Sequence, residues 1–126
     1  MDEDVNNDSL VVKITYGDVR ILFPGDIEQG AEKALLTSGQ DLGAEIIKVP
    51  HHGSKTSSSA EFLDAVRPRY AIFSLGERNK FNFPSEGVVV RYRERGCRVL
   101  RTDQLGAIRL RTDGYRFWIT HSAGKQ

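Results

Sequence analysis

The chain is short of several things, and each shortage closes off a class of protein. Its 126 residues include one cysteine, one tryptophan, four prolines and three histidines. A lone Cys97 excludes an internal disulfide and any zinc cluster built on thiolates. Lying after Gly96 and ahead of an apolar pattern, it reads as a buried strand residue rather than a nucleophile. No apolar run approaches the roughly 20 residues of a membrane-spanning helix. The opening MDEDVNND is acidic and polar, unlike the basic-then-apolar start of a secretory signal. Internal repeats and low-complexity segments are also absent.

Strong net charge is missing as well, but the total of +1 hides an asymmetry. Residues 1–50 hold 10 acids and 4 bases, net −6, and residues 51–126 hold 14 bases and 7 acids, net +7. The second half is therefore suited to face an anion, although arginines that merely solvate helix and strand faces give the same count. A hydrophobic share of 39% and a charged share of 28% are those of an ordinary globular chain, and the length allows one domain with one core.

The pattern along the chain alternates strand and helix. SLVVKITYGDVRILFPGD reads as strands Ser9–Tyr16 and Val19–Phe23 around a Gly17-Asp18 turn, stopped by Pro24-Gly25. IEQGAEKALLTSG has helical spacing, with Asp26 and Gln29 at capping-box positions and Gly39 as its stop. AEIIKVP is a short interior strand. Ser58 and Glu61 repeat the capping-box spacing at the start of SSAEFLDAVRP, a helix that Pro68 ends. RYAIFSLG is a further interior strand, and SEGVVVRYRERG a weak helix between Ser85 and Gly96. The tail CRVLRTDQLGAIRLRTDGYRFWITH reads as two or three antiparallel strands with turns at 103–106 and Asp113-Gly114. The expected fold class is α/β, a sheet with helices packed on it and antiparallel strands at its edges. Residues 1–7 and 122–126 are expected to be disordered, leaving 8–121 as the folded part.

Ligands of open α/β sheets gather beyond the carboxyl ends of the strands. Asp26 ends one such strand and His51-His52 end the next, so neighbouring strands bring a carboxylate and two imidazoles to one edge, a donor set that suits zinc, manganese or iron. Plainer roles exist for each: Asp26 as a helix N-cap, His52 before Gly53 as a turn residue, His51 as cover for the strand end. GSKTSSS, following the histidines, offers Ser54, Lys55, Thr56 and the amides of a helix start to a phosphate, or simply caps that helix. His121 reads as structural or disordered.

Taken together, NNDSLVVKITYGDVRILFPGDIE, KVPHHGSKTSSSAEFLDAVRPRYAIFSLG, NKFNFP and RVLRTDQLGAIRLRTDG closely resemble the C-terminal part of the metallo-β-lactamase-like domain in the ComEC family of DNA-internalisation (competence) proteins, over roughly residues 6–120. The resemblance implies the C-terminal half of an αββα sandwich with a mixed sheet. It matches Asp26 to the aspartate that bridges two metals and the histidine pair to the family's last histidine ligand motif, with His52 preferred over His51 as the ligand, and His51 either supporting the ligands from behind or facing substrate as a catalytic proton donor. It implies a zinc or manganese pair, a phosphodiester substrate held near Ser54, Lys55 and Thr56, and DNA as partner. The parent is then a nuclease-bearing uptake protein in the bacterial cytoplasmic membrane, with this domain on the extracytoplasmic side.

The chain departs from the family in two ways. The His-x-His-x-Asp-His motif and a further histidine are absent, so the chain looks like a soluble second half, inactive alone, which needs a preceding half and self-associates without it. Phe83 also stands where many relatives have a histidine. Two other readings remain open. One is a non-catalytic module that binds DNA or a partner through Arg91, Arg93, Arg95, Arg98, Arg101, Arg109 and Arg111, with vestigial metal residues. The other is a piece of a stand-alone phosphodiesterase or phosphorylcholine esterase.

Overall fold

The structure, a computed structural model, describes residues 10–76 and 84–122. The expected disorder of 1–7, the first strand's start at Ser9 and the Phe83 position all lie outside the described residues. Five strands form one sheet in the order β1 (Val12–Tyr16), β2 (Val19–Phe23), β3 (Ile46–Lys48), β4 (Tyr70–Phe73), β5 (Arg98–Arg101). β1 pairs antiparallel with β2, and every later pairing is parallel. Helices α1 (Gln29–Thr37), α2 (Ala60–Val66) and α3 (Glu86–Glu94) make the crossovers.

All three helices cover one face, because strand alternation turns Leu22, Ile47, Ala71 and Phe73 toward them. These residues join Phe62, Leu63 and Val66 of α2 and Val88, Val89 and Tyr92 of α3 in one core. Phe73 and Tyr92 meet edge to face at 5.6 Å. This is the expected mixed α/β architecture, consistent with a fragment of a metallo-β-lactamase-like fold. Cys97 is buried directly ahead of β5, and burial pushes its thiol up to about 12.

The opposite face is apolar but only partly covered. Val12, Ile14, Tyr16 and Phe23 are exposed there. Over its other end lies a separate antiparallel hairpin, β6 (Ile108–Thr112) and β7 (Phe117–His121), whose Phe117 meets Tyr70 edge to face at 5.4 Å. The hairpin tip is held by the Asp18 N–H donating to the Gly114 carbonyl at 2.6 Å. Gly17, at φ +60, has to be glycine, since a Cβ there would fall on that carbonyl. Ser122 continues the hairpin, its N–H donating to Ala107 at 3.0 Å.

Three local expectations are corrected. The tail is not an antiparallel meander: Arg98–Arg101 joins the main sheet parallel to β4, and the first expected turn is a short helix, α4 (Thr102–Leu105). The crossover supplied by α3 brings β5 back parallel, and a local apolar pattern carries no sign of strand direction. Asp26 is not the cap of α1. Glu28 holds that place without a side-chain cap bond, and the Gln29 N–H donates to the Thr56 carbonyl at 3.0 Å. The cap of α2 is Ser59, which accepts the Phe62 N–H at 3.2 Å, while the Ser58 hydroxyl is paired with Tyr92.

Candidate metal and phosphate site

Parallel β2, β3 and β4 end on one edge, so the loops after them meet there. The Pro24-Gly25 turn delivers Asp26, and the His51 N–H donates to the Gly25 carbonyl at 3.0 Å, tying the first loop to the second. His51 (φ 54) and His52 (φ 55) are both left-handed, at about 1–2 kcal/mol each for a residue with a Cβ. Gly53 follows at φ +87, where a Cβ would stand 2.7 Å from Pro84 Cβ and 2.8 Å from the Phe73 ring. Such a run persists only where its surroundings over-determine it, and runs of this kind cluster at functional sites.

The two imidazoles leave this turn in different directions. His52 Nδ1 lies 2.9 Å from the Ser74 carbonyl, which can only accept, so Nδ1 carries the proton. In the neutral ring this puts the lone pair on Nε2, and Nε2 lies 3.8 Å from Asp26 Oδ1. Both side chains are nearly half exposed, His52 at 44% and Asp26 at 46%. His51 Nδ1 instead lies 3.3 Å from Glu28 Oε2 and 3.3 Å from Thr56 Oγ1. Glu28 went unnoticed in the sequence, where its one signal is its place two residues after Asp26.

The loop 54–59 is built for rigidity. Ser54 is buried and its hydroxyl is engaged inside the loop, taking the Thr56 N–H at 3.2 Å and pairing with Thr56 Oγ1 at 2.9 Å. Ser57 Oγ donates to the Ile27 carbonyl at 2.5 Å. The amides at the start of α2, which the sequence offered to a phosphate, are already satisfied from within. Fully buried Glu32 accepts the Ser58 N–H at 2.5 Å and the Ser59 N–H at 2.9 Å. The helix start thus has its own carboxyl acceptor. Burial raises the Glu32 pKa, and the Ser59 and Ser58 N–H groups with Arg91 oppose that rise. Arg91 also donates to the Ser58 carbonyl at 2.6 Å, and Ser58 is held at φ 61. Sequence reasoning missed Glu32, because a glutamate inside a surface helix gives no sign of burial. Lys55 and Thr56 are the exposed members of the loop.

An oxygen and an imidazole nitrogen 3.8 Å apart, on an open edge, are close to the roughly 3.4 Å between two donors on one tetrahedral ion. The donor chemistry fits zinc or manganese. Among the described residues no group of three or more histidine, cysteine or acidic side chains gathers to complete a site. No described helix is long and apolar enough to cross a membrane.

Residues 4–77, which include Asp26 and the loop after β3, match the family model of the metallo-beta-lactamase superfamily. Among curated proteins, Competence protein ComA of Neisseria gonorrhoeae is 40% identical over 106 residues, 83% of this chain and 15% of that protein. ComE operon protein 3 of Bacillus subtilis is 37% identical over 106 residues, 84% of this chain and 14% of that protein. Recombination protein 2 of Haemophilus influenzae is 35% identical, over 83% of this chain and 13% of that protein. The chain therefore spans about one seventh of the length of the curated relatives it matches.

Proposed function

Because the chain belongs to the metallo-beta-lactamase superfamily, with competence proteins of the ComEC family among its relatives, we propose that it is part of a metal-dependent phosphodiesterase, the nuclease domain of a DNA-uptake protein. Metal dependence is general in the superfamily. The observation that carries the reading is the tautomer of His52, set by Ser74, with Nε2 turned to Asp26.

Asp26 and His52 would hold one side of a zinc or manganese centre, and the metal would supply Lewis acidity for phosphodiester hydrolysis there. The Ser74 carbonyl keeps the His52 proton on Nδ1 and orients the ring. His51, between Glu28 and Thr56, can hold a proton for the departing oxygen. Lys55 and Thr56 face the phosphate, and Ser54 keeps their loop in shape.

The remaining ligands come from another part of the same longer protein, which is membrane-embedded and keeps this domain outside the cytoplasm. The exposed face of Val12, Ile14, Tyr16 and Phe23 suits burial against that part, and drives self-association of the chain alone. The test is cleavage of a DNA oligonucleotide by the full-length protein with Mn²⁺ or Zn²⁺. Asp26→Ala and His52→Ala should each lower the rate by more than the about 100-fold that an outer-shell partner can cost. Undiminished cleavage in both variants would show that neither residue holds the metal.

A further inference from the structure

The β6–β7 hairpin carries a surface that the metal edge does not use. Strand register sets Arg109 opposite Thr120 and Arg111 opposite Trp118, and all four side chains lie on the hairpin's exposed face. Arg116 enters β7 with its guanidinium 5.8 Å from the Trp118 ring centroid. Trp118 is 44% exposed, and Tyr115 at the tip is 78% exposed.

Packing accounts for the inner face, where Phe117 and Ile119 turn to the main sheet and line a cleft with Tyr70. It does not account for a tryptophan on the outer face, set among arginines. Asp113 is the sole acid between Gln104 and Ser122, and its Oδ1 accepts the Tyr115 and Arg116 N–H groups at 2.9 Å each. The face therefore keeps a positive charge.

We propose that this outer face binds single-stranded nucleic acid, with one base stacked on Trp118 and the flanking phosphates on Arg109, Arg111 and Arg116. Arginines two apart on one strand are about 6.8 Å from each other, a spacing comparable with successive phosphates of an extended strand. An exposed indole takes any unpaired base by stacking and leaves a paired one alone. The hairpin's base adjoins α4, whose Thr102 Oγ1 donates to the Leu75 carbonyl at 2.9 Å, next to Ser74 at the metal edge. A strand laid along the hairpin leads toward that edge. Only this direction rests on the hydrolase reading; the binding itself does not.

Trp118 is the chain's single tryptophan, so its fluorescence reports on this face. The chain is titrated with oligothymidylate of about ten nucleotides, with a chelator present so that no metal takes part. Saturable quenching is expected, with affinity falling as salt rises at a log–log slope of about −2, for three phosphates. By anisotropy of a labelled oligonucleotide, Trp118→Leu should weaken binding about 5- to 150-fold, the range of one base–aromatic stack. Trp118→Phe should retain most of the affinity, and Arg111→Ala should reduce the slope by about 0.7.

Asp26→Ala and His52→Ala should leave this binding unchanged. Loss of cleavage in those variants with binding intact supports both readings, and absence of cleavage in the parent protein with binding intact sinks the hydrolase alone. Unchanged affinity in a folded Trp118→Leu chain overturns the proposal. So does equal quenching by a duplex, or quenching by anionic phospholipid vesicles when the oligonucleotide gives none.

Discussion

Removing the Glu32 carboxylate puts the account of the loop to its hardest test. In Glu32→Ala the Ser58 and Ser59 N–H groups both lose their acceptor, at about 1–3 kcal/mol for each buried donor left unpaired. Truncating a fully buried side chain also leaves a void, while the loss of a desolvated charge returns part of the cost. The net expected destabilisation is about 2–4 kcal/mol, a large share of the roughly 5–15 kcal/mol that holds a domain of this kind together. Urea unfolding at neutral pH reads it as a midpoint lowered by about 1.3–2.7 M for an m-value near 1.5 kcal/mol/M.

The pH dependence supplies a second arm. Burial raises the Glu32 pKa above its ordinary 4.5, so the folded chain binds the proton more tightly than the unfolded one. The stability from this group is complete below the unfolded pKa and is lost as pH rises through the folded value. Glu32→Gln should remove that decline above pH 4.5 and cost about half as much as the alanine, since one amide acceptor remains. A Glu32→Ala chain within about 0.5 kcal/mol of the parent, with the same pH profile, would refute the reasoning.

Two further outcomes are expected. Gly53→Ala adds left-handed strain and contacts with Pro84 and Phe73, together about 2–5 kcal/mol, so calorimetry should show Tm lower by about 10–20 °C; a drop under 3 °C means that the turn relaxes freely. Cys97, buried and with its thiol pushed up to about 12, should react with a thiol reagent at pH 8 only as fast as the chain unfolds. Rapid labelling of the native chain would contradict the packing ahead of β5.

The order of elements from β1 to α3 was legible because its signals are local. Apolar β-branched runs stopped by Pro24-Gly25 or Gly96 read as strands and helices over short windows. The two strand ends that carry Asp26 and the histidines were legible for the same reason, and the resemblance rested on the phrases around them. The partnership of β4 with β5 was not legible, since a four-residue stretch such as RVLR looks alike in a parallel and an antiparallel strand.

Residue chemistry and spacing alone determined that an oxygen donor and two imidazoles end successive strands. Tertiary structure alone decided that Ser74, 22 residues beyond His52, sets the ring's tautomer and that Glu32 occupies the amides left to a phosphate. Each of these depends on residues brought together by sheet order, register or burial. Those are properties of the whole packed chain, and no window of sequence contains them.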